Sequence, residues 1–117
     1  MKALWICLGV AASFAAFSAF SQDAVKVNSQ LFKVLAENDK VRVLEVKAKK
    51  GDKAGMHSHP PMVIYVLKAG KTRFTNEDGK VVESNPKTGD VILRDTPITH
   101  SQEHIEASHA IVVELKQ

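Results

Sequence analysis

Short runs rich in β-branched residues, separated by turn signals about every 8–12 residues, are the feature that most constrains the fold of this chain. Asp78-Gly79 between two such runs is a strong hairpin signal. Helical periodicity is nearly absent, and residues 23–37 are predicted to be irregular or an edge strand. Many short strands in one small domain predict an all-β sandwich or barrel. The predicted strands are 41–47, 62–67, 71–75, 80–83, 90–94 and 110–115.

The N-terminus has the layout of a secretory signal peptide. Lys2 precedes an uncharged stretch from Ala3 to Phe20, and the small residues Ala19 and Ser21 stand before a predicted cut at Gln22. An uncleaved membrane anchor is the alternative, because the stretch is about long enough to span a bilayer. Cleavage of residues 1–21 predicts a periplasmic or secreted protein that has no membrane association afterwards.

Histidine is the main source of metal-binding chemistry in the exported part. The single cysteine, Cys7, lies in the predicted leader, so a metal site would have to use imidazole and oxygen ligands. The formal net charge is +3, and the densest basic run, residues 47–50, is short. This charge pattern gives no reason to expect a nucleic-acid partner.

His57 and His59 are expected to project in the same direction. His59 precedes Pro60 and Pro61, and a residue before proline is driven toward extended backbone. On an extended chain, residues i and i+2 share a face. The pair is therefore predicted to supply two ligands of a metal site.

The remaining ligands are sought among the other three histidines. His100 follows a proline turn and is the preferred third ligand, and His104 shares its side of a strand or helix. Residues 100–104 also match H-x-x-E-H, the inverted zinc-protease signature. That chemistry needs an amphipathic helix and a distant downstream ligand, which the chain does not offer. His109 is predicted to be structural.

At this point the sequence resembles a small single-domain cupin. Gly51, five residues and His57-Ser58-His59, closed by Gly70, are similar to the first cupin motif, and Gly89 and His100 match the second. The resemblance covers residues 40–115 and implies a cupin double-stranded β-helix, that is, a jelly-roll barrel. We accordingly divide the chain into a signal peptide (1–21), an N-terminal edge segment (22–39) and a cupin domain (40–117).

The resemblance implies a metal held by His57, His59 and His100, with departures from the family pattern. Val63 or Ile64 stands where the cupin glutamate ligand belongs. The expected Pro, Gly and Asn of the second motif are replaced by Asp95, Pro97 and His104. Some cupins, including the cysteine dioxygenase type, bind iron through three histidines alone. His104 is our own candidate for a fourth ligand.

The predicted strand 62–67 has apolar residues at both odd and even positions, which predicts that both of its faces are covered by other parts of the protein or by a partner. If it continues the parity of His57 and His59, Val63, Tyr65 and Leu67 line the substrate pocket. Met62, Ile64 and Val66 would then form an outer face suited to a homodimer. The charged residues Arg73, Arg94 and Glu103 either line the pocket mouth or are exposed strand residues.

These features predict a divalent-metal protein, with Fe, Zn, Mn or Ni as the ion. Three neutral imidazoles leave the ion's charge uncompensated, which favours a small anionic ligand. An oxygenase or isomerase acting on a small anionic metabolite is one hypothesis. A non-catalytic small-molecule or metal-binding module and a dimeric scaffold are the alternatives.

Overall fold

A computed structural model describes residues 22–117, which form one short helix and nine strands. The predicted signal peptide lies outside these residues. Within residues 22–117, no helix is long and apolar enough to cross a membrane. The helix and strands are α1 (Ala24–Val27), β1 (Phe32–Glu37), β2 (Val41–Ala48), β3 (Lys53–His59), β4 (Met62–Lys68), β5 (Thr72–Asn76), β6 (Val81–Ser84), β7 (Val91–Arg94), β8 (Ile98–His104) and β9 (Ser108–Leu115).

Two antiparallel sheets face each other. One has the strand order β1-β2-β9-β4-β7 and the other has the order β3-β8-β5-β6. The hairpin predicted around Asp78-Gly79 joins β5 to β6, with Gly79 at φ 90°. The all-β jelly-roll prediction is confirmed, and β1 is one of the two edge strands of the larger sheet.

The N-terminal segment packs into the same core as the rest of the domain. Ala24 of α1 and Phe32 of β1 are 0% and 2% exposed, and they contact the cluster around Leu44. Asp23 caps α1 by accepting a hydrogen bond from the Lys26 amide. The segment 22–39 therefore completes the barrel beside β2 and β3.

The two glycines that open the cupin-like motifs occupy turns that need glycine. Gly51 has φ +90° and Gly89 has φ +94°, which is the left-handed region that side-chain-bearing residues avoid. Gly51 leads into β3 and Gly89 leads into β7. The turn before each strand therefore needs a left-handed backbone conformation, which explains why glycine stands at the motif position.

The parity predicted for β4 is wrong. The chain leaves one sheet after His59 and enters the other at Met62, so the Pro60-Pro61 step separates the two strands and their parities are independent. Met62 and Val66 are buried, whereas Tyr65 is 45% and Leu67 is 40% exposed. Met62, Ile64 and Val66 point into the barrel, and Val63, Tyr65 and Leu67 face outward.

Candidate metal centre

Two neighbouring strands of the smaller sheet bring the three predicted histidines together. His57 on β3 and His100 on β8 are direct register partners, and His59 lies two residues further along β3 on the same face. The prolines after His59 end β3 immediately beyond the pair. Antiparallel pairing therefore places His100, the predicted third ligand, beside the β3 histidines.

The imidazoles of His57, His59 and His100 converge on one point. Each offers a ring nitrogen, and these atoms all lie within 4.8 Å of one another. All three residues are buried. Phe32 packs edge-on against His57 and His59, and Phe74 stacks on His100 with a centroid distance of 4.7 Å. The aromatic neighbours restrict the rings to this convergent arrangement.

The unpaired nitrogens of these rings fit a metal ion. His57 Nε2 and both ring nitrogens of His100 are buried without a hydrogen-bond partner. Such buried polar atoms are rare in folded proteins because each costs about 1–3 kcal/mol. A transition-metal ion bound by imidazole nitrogens would satisfy one lone pair on each ring. The three histidines therefore fit the divalent metal ion that the cupin resemblance implies.

Burial keeps His57 and His100 neutral and ready to bind a cation. Desolvation lowers the pKa of His57 from 6.5 to about 4, although a hydrogen bond to the Gly55 carbonyl opposes the shift. Desolvation also lowers the pKa of His100 to about 3, with a further contribution from the charges of His57 and His59. Since a metal-binding imidazole must be unprotonated, both residues are in the binding form at pH 7.

Hydrogen bonds at Nδ1 orient two of the rings. His57 Nδ1 lies 2.7 Å from the Gly55 carbonyl oxygen, an acceptor, so Nδ1 carries the proton and Nε2 is left for a ligand role. His59 Nδ1 lies 2.7 Å from Oε2 of Glu114. These two rings therefore have a defined tautomer before any ion binds.

His104 lies outside this group, contrary to the suggestion that it is a fourth ligand. It shares the inward face of β8 with His100, but four residues along a strand correspond to about 13 Å. The amide of Gln102 donates to His104 Nε2 at 2.8 Å, and the hydroxyls of Thr72 and Ser108 lie 3.3 and 3.2 Å from Nδ1. Both ring nitrogens are thus engaged in a separate polar cluster.

A cavity of about 190 Å³ opens beside the histidines inside the barrel. His59 and His100 line it together with mainly apolar side chains. The inward residues of β4 contribute to this lining, so the predicted pocket residues Val63, Tyr65 and Leu67 are replaced by Met62, Ile64 and Val66.

The charged side chains around the cavity are all basic. Arg94 and Lys68 line it, and no Asp or Glu of the described chain does. Arg73 and Glu103, the other residues considered for the mouth, form ion pairs instead. Arg73 contacts Glu83 at 3.1 Å and Glu103 at 3.7 Å. Together with a cation at the histidines, Arg94 and Lys68 would make the interior attractive to anions.

Sequence reasoning missed Glu114 and Phe74. Glu114 is 2% exposed and bonds both His59 and Arg42. A signal did exist, because Glu114 follows the buried Val112 at strand spacing and so falls on the inward parity of β9. A charged residue at a core position indicates either pairing or function. Phe74 carries no comparable signal, since its role depends on the pairing of β5 with β8.

His109 is accounted for without a metal. Its Nε2 lies 2.7 Å from Oε2 of Glu45 on the neighbouring strand. His109 also borders the cavity, but it does not belong to the group of converging histidines. The residue is therefore part of a strand-to-strand imidazole–carboxylate contact, which fits its predicted structural role.

Comparison with known proteins identifies the fold. No protein-family model and no curated protein matches the sequence. A cupin domain from Bordetella pertussis matches with a TM-score of 0.66 and 21% identity, over 74% of this chain and 92% of that one.

Two further solved structures agree. An RmlC-like cupin with a double-stranded β-helix fold from Methanocaldococcus jannaschii gives a TM-score of 0.59 and 17% identity, over 73% and 78% of the two chains. An RmlC-like cupin from Desulfovibrio desulfuricans gives 0.52 and 22%, over 79% and 89%. The chain therefore has the double-stranded β-helix fold of a small cupin domain.

Proposed function

We propose that the protein binds one divalent transition-metal ion through His57, His59 and His100, and holds a small organic anion beside it. The observation that carries this proposal is the convergence of three buried imidazoles, among which His57 Nε2 and both ring nitrogens of His100 have no hydrogen-bond partner. The adjoining cavity supplies the ligand space. Imidazole ligands suit several divalent ions, so Fe, Zn, Mn and Ni all remain candidates.

The cavity residues define the ligand class. Apolar walls from Ile64, Val66 and Ile92 exclude water and favour an organic body, while Arg94 and Lys68 favour a negative group. Three neutral imidazoles leave the charge of a bound ion largely uncompensated, which further favours an anion. A small carboxylate with an apolar body meets all three requirements.

We propose oxygenase activity on such an anion ahead of isomerase activity. When bound, the ion would supply Lewis-acid or redox chemistry at open coordination positions. The chain itself holds and orients the anion and keeps bulk water away. No carboxylate within residues 22–117 lines the cavity to act as a proton-transfer base, which weakens the isomerase alternative. A non-catalytic metal or small-molecule binding module is the second candidate.

Replacing Arg94 with methionine is expected to lower the affinity of the zinc-loaded protein for benzoate about tenfold. The guanidinium would make a charge-assisted contact worth about 1.5 kcal/mol or slightly more to the carboxylate. Benzamide, which is neutral, should bind at least tenfold more weakly than benzoate to the wild type. Titration calorimetry measures both. Arg73→Met is the matched control, because Arg73 pairs with Glu83 and does not line the cavity.

The enzymatic part is tested separately by oxygen uptake. The purified protein is analysed for bound metal, loaded anaerobically with Fe²⁺, and assayed with an oxygen electrode against a panel of small apolar carboxylates. Substrate-dependent uptake that is lost in His100→Ala supports an oxygenase. Tight zinc binding without turnover of any carboxylate supports the binding module.

Equal affinity for benzoate and benzamide in the calorimetric titration would contradict the anion proposal.

We also propose that the protein forms a homodimer through the outer face of the larger sheet. Tyr65 and Leu67 of β4 lie beside Val91 and Leu93 of β7 through the register pairs Val63↔Leu93 and Tyr65↔Val91. Val91 and Leu93 are 66% and 69% exposed. Contiguous apolar surface of this kind is typical of interaction sites. This face replaces the one predicted from the opposite parity of β4.

The dimer is expected to dissociate when this face is charged. Leu93→Lys should convert the protein to a monomer at about 50 µM, since a buried lysine without a partner is strongly unfavourable. Light scattering after size-exclusion chromatography measures the mass, and Lys80→Leu, away from this face, is the control. A wild-type monomer at the same concentration would contradict the proposal.

Export to the periplasm or the medium is also proposed, and it rests on the sequence of residues 1–21 alone. N-terminal sequencing of the protein recovered from the cell envelope or medium tests it. Gln22 at the N-terminus is the expected result. An intact N-terminus in a membrane fraction would support the anchor alternative.

A further inference from the structure

Glu114 is a buried carboxylate at the back of the metal centre. It lies on β9 and is 2% exposed, and its two oxygens face different partners. Oε2 lies 2.7 Å from Nδ1 of His59. Oε1 accepts a hydrogen bond from Nε of Arg42 at 2.8 Å and lies 2.7 Å from Nη2 of the same guanidinium in an ion pair. Both oxygens are therefore engaged, as a buried charged group requires.

The contact with His59 determines which nitrogen can bind an ion. A carboxylate accepts hydrogen bonds, so Nδ1 of His59 is the protonated nitrogen and Nε2 keeps its lone pair. Nδ1 of His57 is similarly directed to the Gly55 carbonyl. Carboxylate contacts of this kind fix ring orientation and raise the basicity of a ligating histidine.

The network behind His59 also carries a net negative charge. Arg42 binds Asp23 at 2.6 Å as well as Glu114, so two carboxylates surround one guanidinium. The pKa of Asp23 is lowered by its hydrogen bond and charge contact with Arg42, against the opposing effect of burial. Taken together, Asp23, Arg42 and Glu114 carry one net negative charge behind three ligands that carry none.

We propose that Glu114 is the positioning residue of the metal centre. It holds His59 with Nε2 toward the ion and supplies, from behind the ligand, the negative charge that the three histidines lack. Arg42 and Asp23 keep the carboxylate in place. This inference rests on the proposed metal-binding function. It also accounts for the absence of a carboxylate at the position of the cupin glutamate ligand.

The test compares Glu114→Gln with Glu45→Gln in the full-length protein. Glu45 on β2 makes a carboxylate–imidazole pair of the same length, 2.7 Å, with His109 on β9, and His109 does not belong to the metal group. The two substitutions are therefore chemically matched. Co²⁺ affinity is measured by competition with a chromophoric chelator, and the visible absorption of bound Co²⁺ reports the ligand geometry.

Glu114→Gln is expected to weaken Co²⁺ binding about 10–100-fold and to shift the Co²⁺ absorption bands. Glu45→Gln should leave the Co²⁺ affinity within about twofold of wild type and the absorption bands unchanged, because a surface pair contributes little. The absorption shift separates positioning from a general loss of stability, because a merely less stable fold would bind fewer ions with an unchanged spectrum.

Asp23→Asn provides a second variant further from the ion. It removes one negative charge from the network while leaving the Glu114–His59 contact, so a several-fold loss of affinity without a band shift is expected. A folded Glu114→Gln protein with wild-type affinity and spectrum would overturn the proposal. If Glu114→Gln does not fold, wild-type affinity in Asp23→Asn would overturn it. Failure of the wild-type protein to bind Co²⁺ would instead refute the metal function itself.

Discussion

Replacing His100 with alanine is expected to abolish specific divalent-metal binding and the stability that the ion confers. His100 provides one of three converging imidazoles, and the remaining pair from β3 would form only a two-ligand site. We expect the affinity for Co²⁺ or Zn²⁺ to fall by more than about 100-fold, beyond the effect typical of a residue behind the ligands. In the wild type, an ion at 100 times its dissociation constant should add about 2.7 kcal/mol to the free energy of unfolding.

Thermal unfolding with and without the ion measures this effect. For a domain of this size the wild-type midpoint should rise by roughly 10–20 °C on metal addition. His100→Ala should show no rise, and His109→Ala, which removes a histidine outside the group, should behave as the wild type. Equal loss in both variants would point to unspecific surface histidine binding. Retained affinity in His100→Ala would show that the ligand set is wrong.

Lowering the pH from 7 to 5 is expected to destabilise the metal-free protein by on the order of 3 kcal/mol through His57 and His100 together. Burial lowers their pKa in the folded protein to about 4 and about 3, against 6.5 in the unfolded chain. Between those values the unfolded chain binds more protons than the folded protein. The stability contribution is therefore complete above about pH 6.5 and is lost as the pH falls toward 4.

Urea unfolding at pH 7, 6 and 5 in the presence of a chelator measures this loss. The window stays above pH 5 because Asp23, Glu37 and Glu45 titrate at more acidic pH, since hydrogen bonds with Arg42, Lys116 and His109 respectively lower their pKa values. His100→Phe keeps an aromatic ring beside Phe74 and should remove about half of the pH dependence that His57 and His100 contribute. It should also be more stable than the metal-free wild type at pH 5. A flat wild-type profile would show that the buried histidines are more readily solvated than their burial implies.

The strand pattern and most of the ligand set could be predicted without coordinates. Short apolar runs bounded by turn residues define strands through local chemistry, and extended backbone before Pro60 places His57 and His59 on one face. His100 was predicted as a ligand from the proline turn before it and from the match of Gly89 and His100 to the second cupin motif. Its convergence with the other two depends on the register of β3 against β8.

The parity of β4 was not predictable from the neighbouring histidines. Alternation carries information only while a chain stays in one sheet, and the Pro60-Pro61 step moves it to the other. The pocket assignment of Val63, Tyr65 and Leu67 failed for this reason. The prediction that His104 is a fourth ligand was wrong for a different reason. His104 shares a face with His100, but it lies four residues further along the strand.

Local physical chemistry thus determined the strands, the turns and the orientation of the β3 histidine pair, because these depend on backbone preferences within a few residues. Which groups surround that pair was decided only by tertiary structure. Glu114 and Arg42 are 72 residues apart in sequence, and β2 pairs with β9 to bring them together behind His59. Long-range strand pairing selects such neighbours, and its register is a property of the whole barrel.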